Sequence, residues 1–204
     1  FVDAPFYTTH DMGRSAGYYA ADDGPMTKMA YAMSLFMTGN SFVYYGEEIG
    51  LRGSRGGSNT DANRRLAMRW GDGFVMRDPV GANYPAENQI KTTVADQLAD
   101  ENSMYNYYCK LIALRHKYPA IARGDYGAVS SAYKNVGGFM IQYEDETLLL
   151  LHNTSQEELT IDLSECQGLD GNTFATLCDR IGVGDAKLEG TKLTIGPQTS
   201  VILK

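Results

Sequence analysis

The chain has 204 residues, of which 43% are hydrophobic and 21% are charged, and its formal net charge is −7. This length suffices for one large domain or two small ones, and the composition is ordinary for a globular protein. The negative charge argues against a nucleic-acid partner, and no run approaches the roughly 20 apolar residues that cross a membrane. The composition leaves a neutral ligand, such as a sugar, as a possible binding partner. Because the first residue is Phe1 and no signal-like segment opens the chain, we expect a processed or truncated protein.

Residues 1–50 contain two short apolar segments separated by a helical pattern, which is typical of βα units. The strand candidates are Ala4 to Thr8 and Ser41 to Tyr45, and the second is predicted to be buried. Between them, Asp23 is a candidate helix N-cap and Pro25 suits the first turn. Apolar residues at helical spacing predict the core face of this helix: Met26, Met29, Ala30, Met33, Phe36 and Met37.

Residues 51–102 form a long segment that is rich in Gly, Arg, Asp and Asn and shows little periodicity. A stretch of this kind is usually a functional or a disordered loop. We interpret Trp70, the single tryptophan, as packing an ordered part of it rather than stacking on a sugar. Ser103 then caps a helix that Pro119 ends, and Cys109 within this helix is predicted to be a core residue.

From about residue 123 onward the pattern is all β. Eight short strand candidates, separated by turn residues, favour an antiparallel sandwich. They are Tyr126 to Lys134, Gly138 to Tyr143, Thr147 to Asn153, Glu158 to Leu163, Thr173 to Cys178, Lys187 to Glu189, Lys192 to Ile195 and Ser200 to Leu203.

Polar side chains follow both predicted strands of the first half. Thr9, His10 and Asp11 follow the first strand, and Glu47 and Glu48 follow the second. Barrel enzymes place their catalytic groups after strand ends. Taken alone, however, a His-Asp pair at a strand end is more often a satisfied hydrogen-bond pair or a turn cap. The glutamates are equally ambiguous, since one can be the buried partner of an arginine and the other a solvated charge.

Four segments in order change this balance, because over about residues 1–125 the chain resembles the α-amylase family of glycoside hydrolases. The first segment, Phe6 to Arg14 (FYTTHDMGR), is similar to the end of the seventh barrel strand, and the second, Ser41 to Leu51 (SFVYYGEEIGL), is similar to the eighth strand and its exit. The third, Asp61 to Arg65 with Met68 and Trp70, is similar to the loop that follows the eighth strand. The fourth, Val94 to Gln97 with Ser103 to Gly124, is similar to the closing helix.

The resemblance implies an α/β plus all-β fold. Residues 1–120 would be the C-terminal part of a catalytic (β/α)8 (TIM) barrel, with its strands 7 and 8, a long loop and the last helix. Residues 121–204 would be a C-terminal antiparallel β-sandwich domain. A complete barrel needs about 250 residues and eight strands, so we expect a missing N-terminal barrel portion of the same protein as a partner.

By the same resemblance, Asp11 matches the third family carboxylate, which stabilises the oxocarbenium-like transition state, and His10 matches a histidine that donates to the same sugar. Asp61 and Arg65 match loop residues that hold the next glucose unit. Arg64 is an alternative to Arg65, because the register is uncertain by one. A role for these loop residues as solvated surface charges stays open with nearly equal weight.

Arg14 and Glu47 are predicted supporting residues, since Arg14 could orient a carboxylate by pairing with Asp11 or Glu47. Thr9 stands where most family members carry Asn, so a hydrogen bond that supports His10 and Asp11 is lost or remade.

The resemblance further implies a retaining reaction on the α-glucosidic bonds of starch-like glucans or maltooligosaccharides. The family's nucleophilic Asp and acid/base Glu precede the matched segments, so we expect this chain alone to be inactive. It implies no metal ligand and no cofactor in this segment, and it allows calcium in the full-length enzyme.

The alternative is a non-catalytic carbohydrate-binding or scaffold protein with an amylase-like fold. A binding module on the β region would need exposed aromatic side chains that stack on sugar rings. The alternation of the candidates along the strands instead predicts core positions for Tyr126, Tyr133, Phe139, Tyr143 and Phe174.

Overall fold

The computed structural model describes residues 2–18, 24–54 and 61–204. Within these ranges the first half of the chain is helical with long irregular connections, and every strand longer than a single bridge begins at or after Asp125. The described chain therefore combines a helix-rich half with an all-β half.

The two strand candidates of the first half shrink to one parallel bridge between Phe6 and Phe42. The N–H of Phe42 donates to the carbonyl of Pro5 at 2.8 Å. Both bridged phenylalanines are exposed, so the prediction of a buried strand over residues 41–45 is wrong for the described structure. Parallel strands are buried when neighbouring strands and helices cover them, and among the described residues each of these segments pairs with the other alone.

Five α-helices belong to the described chain: α1 (Ser15–Tyr18), α2 (Pro25–Leu35), α3 (Val94–Ala99), α4 (Met104–Lys117) and α5 (Pro119–Arg123). Pro25 stands in the first turn of α2, as predicted, whereas Asp23 lies outside the described residues. The N–H of Asn106 donates to Oγ of Ser103 at 3.1 Å, which confirms the predicted cap of α4. Pro119 ends α4 and opens α5, because proline lacks the N–H that would continue a helix but suits a first turn.

The methionines of α2 divide between two faces. Met29 is buried, whereas Met26, Met33 and Met37 are exposed. Met26 and Met33 are seven positions apart and therefore share one side of the helix, whereas Met37 lies two residues beyond its end. The prediction of core positions is confirmed for Met29 and wrong for these three, because the opposite side of α2 packs against α4 and the sheet.

Cys109 is a further correction. It was predicted to be a core residue, but it is exposed. It directly follows the buried pair Tyr107 and Tyr108, so the rotation of about 100° per residue carries it to the outer side of α4.

Eight antiparallel strands form the second half: β1 (Asp125–Ser130), β2 (Val136–Tyr143), β3 (Glu146–Asn153), β4 (Leu159–Asp162), β5 (Leu177–Gly182), β6 (Ala186–Glu189), β7 (Lys192–Ile195) and β8 (Thr199–Leu203). Five pair in the order β1-β2-β3-β8-β5 and three in the order β4-β7-β6. Two antiparallel sheets with a shared core agree with the predicted sandwich. The fifth strand was predicted over residues 173–178, but β5 starts at Leu177 and Phe174 lies in the core ahead of it.

Strand β3 is buried on both faces, which explains its run of leucines. Leu148 and Leu150 belong to a core that also contains Tyr31 of α2, whereas Leu149 and Leu151 belong to the core between the two sheets. Successive side chains of a strand point to opposite faces. The five-stranded sheet therefore separates a helix-sheet core from a sheet-sheet core.

The predicted boundary between residues 120 and 121 falls inside α5. The helix-sheet core takes residues from both sides of this boundary, including Tyr31 before it and Ile202 after it. The division into two domains stays a prediction, and the two halves share packing across it.

Candidate active site

Two chain segments end side by side at one edge of the described structure. Phe6 and Phe42 are bridged in parallel, so residues 8–11 and 44–48, which follow them, leave in the same direction. Barrel enzymes carry their catalytic groups after the carboxyl ends of parallel strands. The loop that contains residues 61–65 returns to the same edge. The candidate site is therefore built from three segments.

Arg65 joins the two predicted aspartates. Its Nη2 lies 3.1 Å from Oδ1 of Asp11 and 3.3 Å from Oδ2 of Asp61. Nε2 of His10 lies 3.3 Å from Oδ2 of Asp11, and Nε of Arg65 donates to the carbonyl of His10 at 3.4 Å. Four predicted site residues thus form one cluster, and their roles toward a sugar stay a prediction.

Arg64, the alternative to Arg65, contacts a different oxygen. Its Nη1 donates to Oδ1 of Asp61 at 3.0 Å, and its side chain is more buried than that of Arg65. Arg65 is therefore the arginine that contacts Asp11, whereas Arg64 contacts Asp61 alone of the two aspartates.

The cluster is open to solvent. The side chains of His10 and Asp11 are 60% and 66% exposed. Ion pairs as exposed as these contribute little to stability, because water screens them. A hydroxyl-rich ligand could therefore exchange these contacts for its own at small cost.

Arg14 is buried, at 1% exposure, and holds backbone rather than a carboxylate. Its Nη1 donates to the carbonyl of Tyr45 at 2.5 Å, and its Nε donates to the carbonyl of Arg64 at 3.1 Å. Within the described ranges no ion pair joins Arg14 to Asp11 or Glu47, which corrects the predicted pairing. Arg14 instead fixes the backbone from which Arg64 and the following residue project.

Two tyrosines that the sequence did not single out complete this scaffold. The guanidinium of Arg14 lies 4.5 Å from the ring centroid of Tyr44 and 4.7 Å from that of Tyr45, at cation–π distance. The hydroxyl of Tyr45 donates to the carbonyl of Leu66 at 2.8 Å, and that of Tyr44 to the carbonyl of Arg64 at 3.4 Å. Adjacent tyrosines at the end of a predicted strand were the available signal, since they combine an apolar ring with a polar tip.

Glu47 is buried and accepts a hydrogen bond from the hydroxyl of Thr8. Burial raises the pKa of Glu47 to about 7, although the Thr8 hydroxyl and the charge of Arg14 favour its ionised form. Glu48 is partly buried, and its Oε2 has no hydrogen-bond partner among the described residues. The prediction of one glutamate as the buried partner of an arginine and the other as a solvated charge is met only in the burial of Glu47, because no ion pair joins Glu47 to Arg14 among the described residues and Glu48 is partly buried.

Thr9, which by the resemblance stands in place of an Asn, makes a local hydrogen bond. Its Oγ1 accepts a hydrogen bond from the N–H of Asp11 at 3.3 Å. This hydroxyl turn supports the backbone of the His10–Asp11 pair.

The described residues hold no group of three or more His, Cys, Asp or Glu side chains placed to bind a metal ion. Calcium in the full-length enzyme stays a prediction. In the same ranges, none of the helices is both long and apolar enough to span a bilayer.

Comparison with known proteins gives two family matches. The model described as "Alpha amylase, catalytic domain" matches residues 2–124, and the "Alpha-amylase SusG C-terminal domain" matches residues 136–202. "Alpha-amylase 3" of Dictyoglomus thermophilum is 29% identical over 208 residues, covering 100% of this chain and 39% of that protein. "Alpha-amylase SusG" of Bacteroides thetaiotaomicron is 30% identical over 172 residues, covering 81% of this chain and 24% of that protein.

Among solved structures, Eubacterium rectale Amy13B superposes with a TM-score of 0.85 at 33% identity, covering 100% of this chain and 39% of that one. The chain thus spans well under half the length of these relatives. The matches confirm the predicted fold class, a barrel segment followed by a β-sandwich.

Proposed function

Because the chain belongs to the α-amylase family of glycoside hydrolases, we propose that the full-length protein cleaves α-glucosidic bonds in starch-like glucans or maltooligosaccharides. The names of the two α-amylase relatives support this substrate class. The observation that carries the proposal is the convergence of His10, Asp11, Asp61 and Arg65 in one exposed cluster.

In the proposed reaction, Asp11 accepts hydrogen bonds from the hydroxyls of the glucose unit that is cleaved. These bonds strengthen as the ring flattens toward the oxocarbenium-like transition state, which lowers the barrier rather than merely tightening substrate binding. His10 donates to the same unit, and Arg65 and Asp61 hold the next one. Asp11 exchanges its contact with Arg65 for the sugar hydroxyls when substrate binds.

The proposed reaction retains the anomeric configuration, with a carboxylate nucleophile and a carboxylic acid/base. We assign neither role to this chain, which is therefore inactive alone. Asp11 and Asp61 are both assigned to sugar binding, which leaves neither of them as the nucleophile or the acid/base. Glu47 is buried and cannot touch a substrate.

The alternative of a binding module on the β-sandwich has less support. Tyr126, Phe139 and Tyr143 pack against the helix-sheet core, and Phe174 lies in the sheet-sheet core. Of the five aromatic candidates, Tyr133 alone is exposed. Stacking on a sugar needs accessible ring faces, and the other four side chains are partly or fully buried against a core.

The test is hydrolysis of maltoheptaose by the full-length protein and by its Asp11→Asn and Asp170→Asn variants. Asp170 is an exposed aspartate with φ 49°, a conformation that Asn also tolerates, so it is a matched control. We expect Asp11→Asn to lower kcat/KM by about a thousandfold, the typical effect of removing a transition-state contact, and Asp170→Asn to change it little. Full activity of Asp11→Asn would refute the role of Asp11, and turnover by the 204-residue chain alone would refute its inactivity.

A further inference from the structure

Residues 67–78, which we call the Trp70 loop, present large apolar side chains to solvent. Trp70 is 44% exposed and Phe74 is 65% exposed, and Val75 and Met76 are more than half exposed. Contiguous exposed apolar side chains often mark a binding surface. The expected packing of Trp70 within its loop therefore accounts for only the buried part of its side chain, and the rest is open to solvent.

The base of the Trp70 loop is fixed to the start of α3. The carbonyl of Trp70 accepts from the N–H of Ala95 at 3.1 Å. Gly71 has φ 88° and packs so closely that a Cβ there would lie 2.5 Å from Oγ1 of Thr93. Glycine is needed for this approach, because it has no side chain and tolerates positive φ.

Two further hydrogen bonds close the loop on itself. The N–H of Ala67 donates to Oδ1 of Asp78 at 2.8 Å, and Nε1 of Trp70 donates to Sδ of Met76 at 3.3 Å. The exposed apolar side chains are therefore preorganised, and a ligand that binds them pays less entropy for ordering the site.

A cleft of ≈ 290 Å³ opens between these side chains. Its lining includes Trp70, Phe74, Met76, Arg69 and Asp78. We propose that this cleft binds a glucan chain by stacking a pyranose ring on Trp70 and Phe74, as a second carbohydrate site separate from the Asp11 cluster. The inference rests on the proposed function, from which it takes its substrate class.

The lining suits a neutral polyol that has one apolar face. The indole and phenyl rings offer surfaces for the C–H face of a pyranose. Arg69 and Asp78 add one cation and one anion beside the rings, and these groups can hydrogen-bond sugar hydroxyls without a net charge. An apolar protein segment would instead bury both charges without hydroxyl partners, which is costly.

The chain contains a single tryptophan, so its tryptophan fluorescence reports on this cleft. The experiment titrates maltoheptaose into the parent chain and into the Asp11→Asn, Phe74→Ala and Val80→Ala variants. Val80 is the matched control, because it is 97% exposed and does not line the cleft. We expect a saturable emission change with the same Kd for the parent, Asp11→Asn and Val80→Ala, and a Kd about tenfold weaker for Phe74→Ala. Because Phe74 is exposed, its variant should keep the parent's Tm.

Three results would overturn the inference. The first is no saturable change at millimolar maltoheptaose, or one that Phe74→Ala leaves at the parent's Kd. The second is a change lost in Asp11→Asn, which would place the ligand at the Asp11 cluster. The third is a change that follows protein concentration rather than glucan, which would identify a second copy as the occupant. None of these touches the proposed function, which fails separately if the full-length Asp11→Asn enzyme is fully active.

Discussion

Nη2 of Arg65 lies 3.1 Å from Oδ1 of Asp11, although 54 positions separate the two residues. The contact exists because Arg14 and two tyrosines hold the backbone beneath Arg65. The exposed cluster and its buried scaffold should therefore respond differently to substitution.

Replacing Arg65 by alanine should reduce activity much more than stability. Its carboxylate partners are exposed, so we expect the free energy of unfolding to change by less than about 1 kcal/mol. In the full-length enzyme, kcat/KM for maltoheptaose should fall by about tenfold or more, because a charge-assisted contact is lost. Arg77→Ala, at another exposed arginine, is the control. Equal activity losses in the two variants would contradict a specific role for Arg65.

Replacing Arg14 by methionine should destabilise the fold by about 3 kcal/mol, as measured by urea unfolding. The carbonyls of Tyr45 and Arg64 lose their donor, and the buried Glu47 loses a nearby cation. Arg14→Lys should restore little, because a lysine ammonium cannot reproduce the planar fork of a guanidinium. Wild-type stability in Arg14→Lys would show that charge alone matters, and Arg77→Met should be neutral.

Glu47 should make the protein less stable as the pH rises. Its pKa in the folded chain is raised to about 7 from an ordinary value of 4.5. The folded state thus binds a proton that the unfolded state releases, so this contribution is full below pH 4.5 and is lost as the pH rises through 7. The total is about 3 kcal/mol at most, since one pKa unit corresponds to about 1.4 kcal/mol. In urea unfolding, the change in unfolding free energy from pH 5 to pH 8 should be more positive in Glu47→Gln than in the parent by up to about 3 kcal/mol, whereas Glu87→Gln, at an exposed site, should match the parent.

His152 should make the protein less stable as the pH falls, which is opposite to the effect of Glu47. Its ring is buried, with Nδ1 2.7 Å from Oγ of Ser200, and burial lowers its pKa to about 4 from 6.5. The unfolded state binds the proton more readily, so stability is full above pH 6.5 and falls by up to about 3 kcal/mol as the pH drops toward 4. Relative to the parent, His152→Gln should gain stability as the pH falls from 6.5 toward 4, and His116→Gln, on the exposed side of α4, should match the parent.

The two slopes overlap between pH 4.5 and 6.5 and should largely cancel in the parent. Stability should therefore rise with pH in Glu47→Gln and fall with pH in His152→Gln. Parallel profiles for the two single variants would contradict both assignments.

Local chemistry made some elements predictable from sequence. Ser103 and Pro119 bound α4 because a side-chain cap and a missing N–H act within one turn. The strands of the sandwich were predictable because apolar and polar residues alternate along many of them, and successive side chains of a strand point to opposite faces of the sheet. The choice between Arg64 and Arg65 needed the fold, because one residue of register decides which guanidinium reaches Asp11.

Long-range packing explains the failures. Arg14 was expected to pair with a carboxylate, but its acceptors are carbonyls 31 and 50 positions away, and no sequence spacing encodes them. The methionines of α2 have the spacing of a buried stripe, yet which side of the helix receives a neighbour is decided elsewhere in the chain. Phe42 sits in an apolar run that looks buried, and its exposure depends on which strands lie beside it.

The double-sided burial of β3 has a consequence for protein engineering. A sandwich excised by cutting the gene near codon 120 would carry Leu148 and Leu150 on a bare outer sheet, where they would drive aggregation. This C-terminal half therefore cannot serve as a transplantable cassette unless the host supplies a helix to cover that stripe.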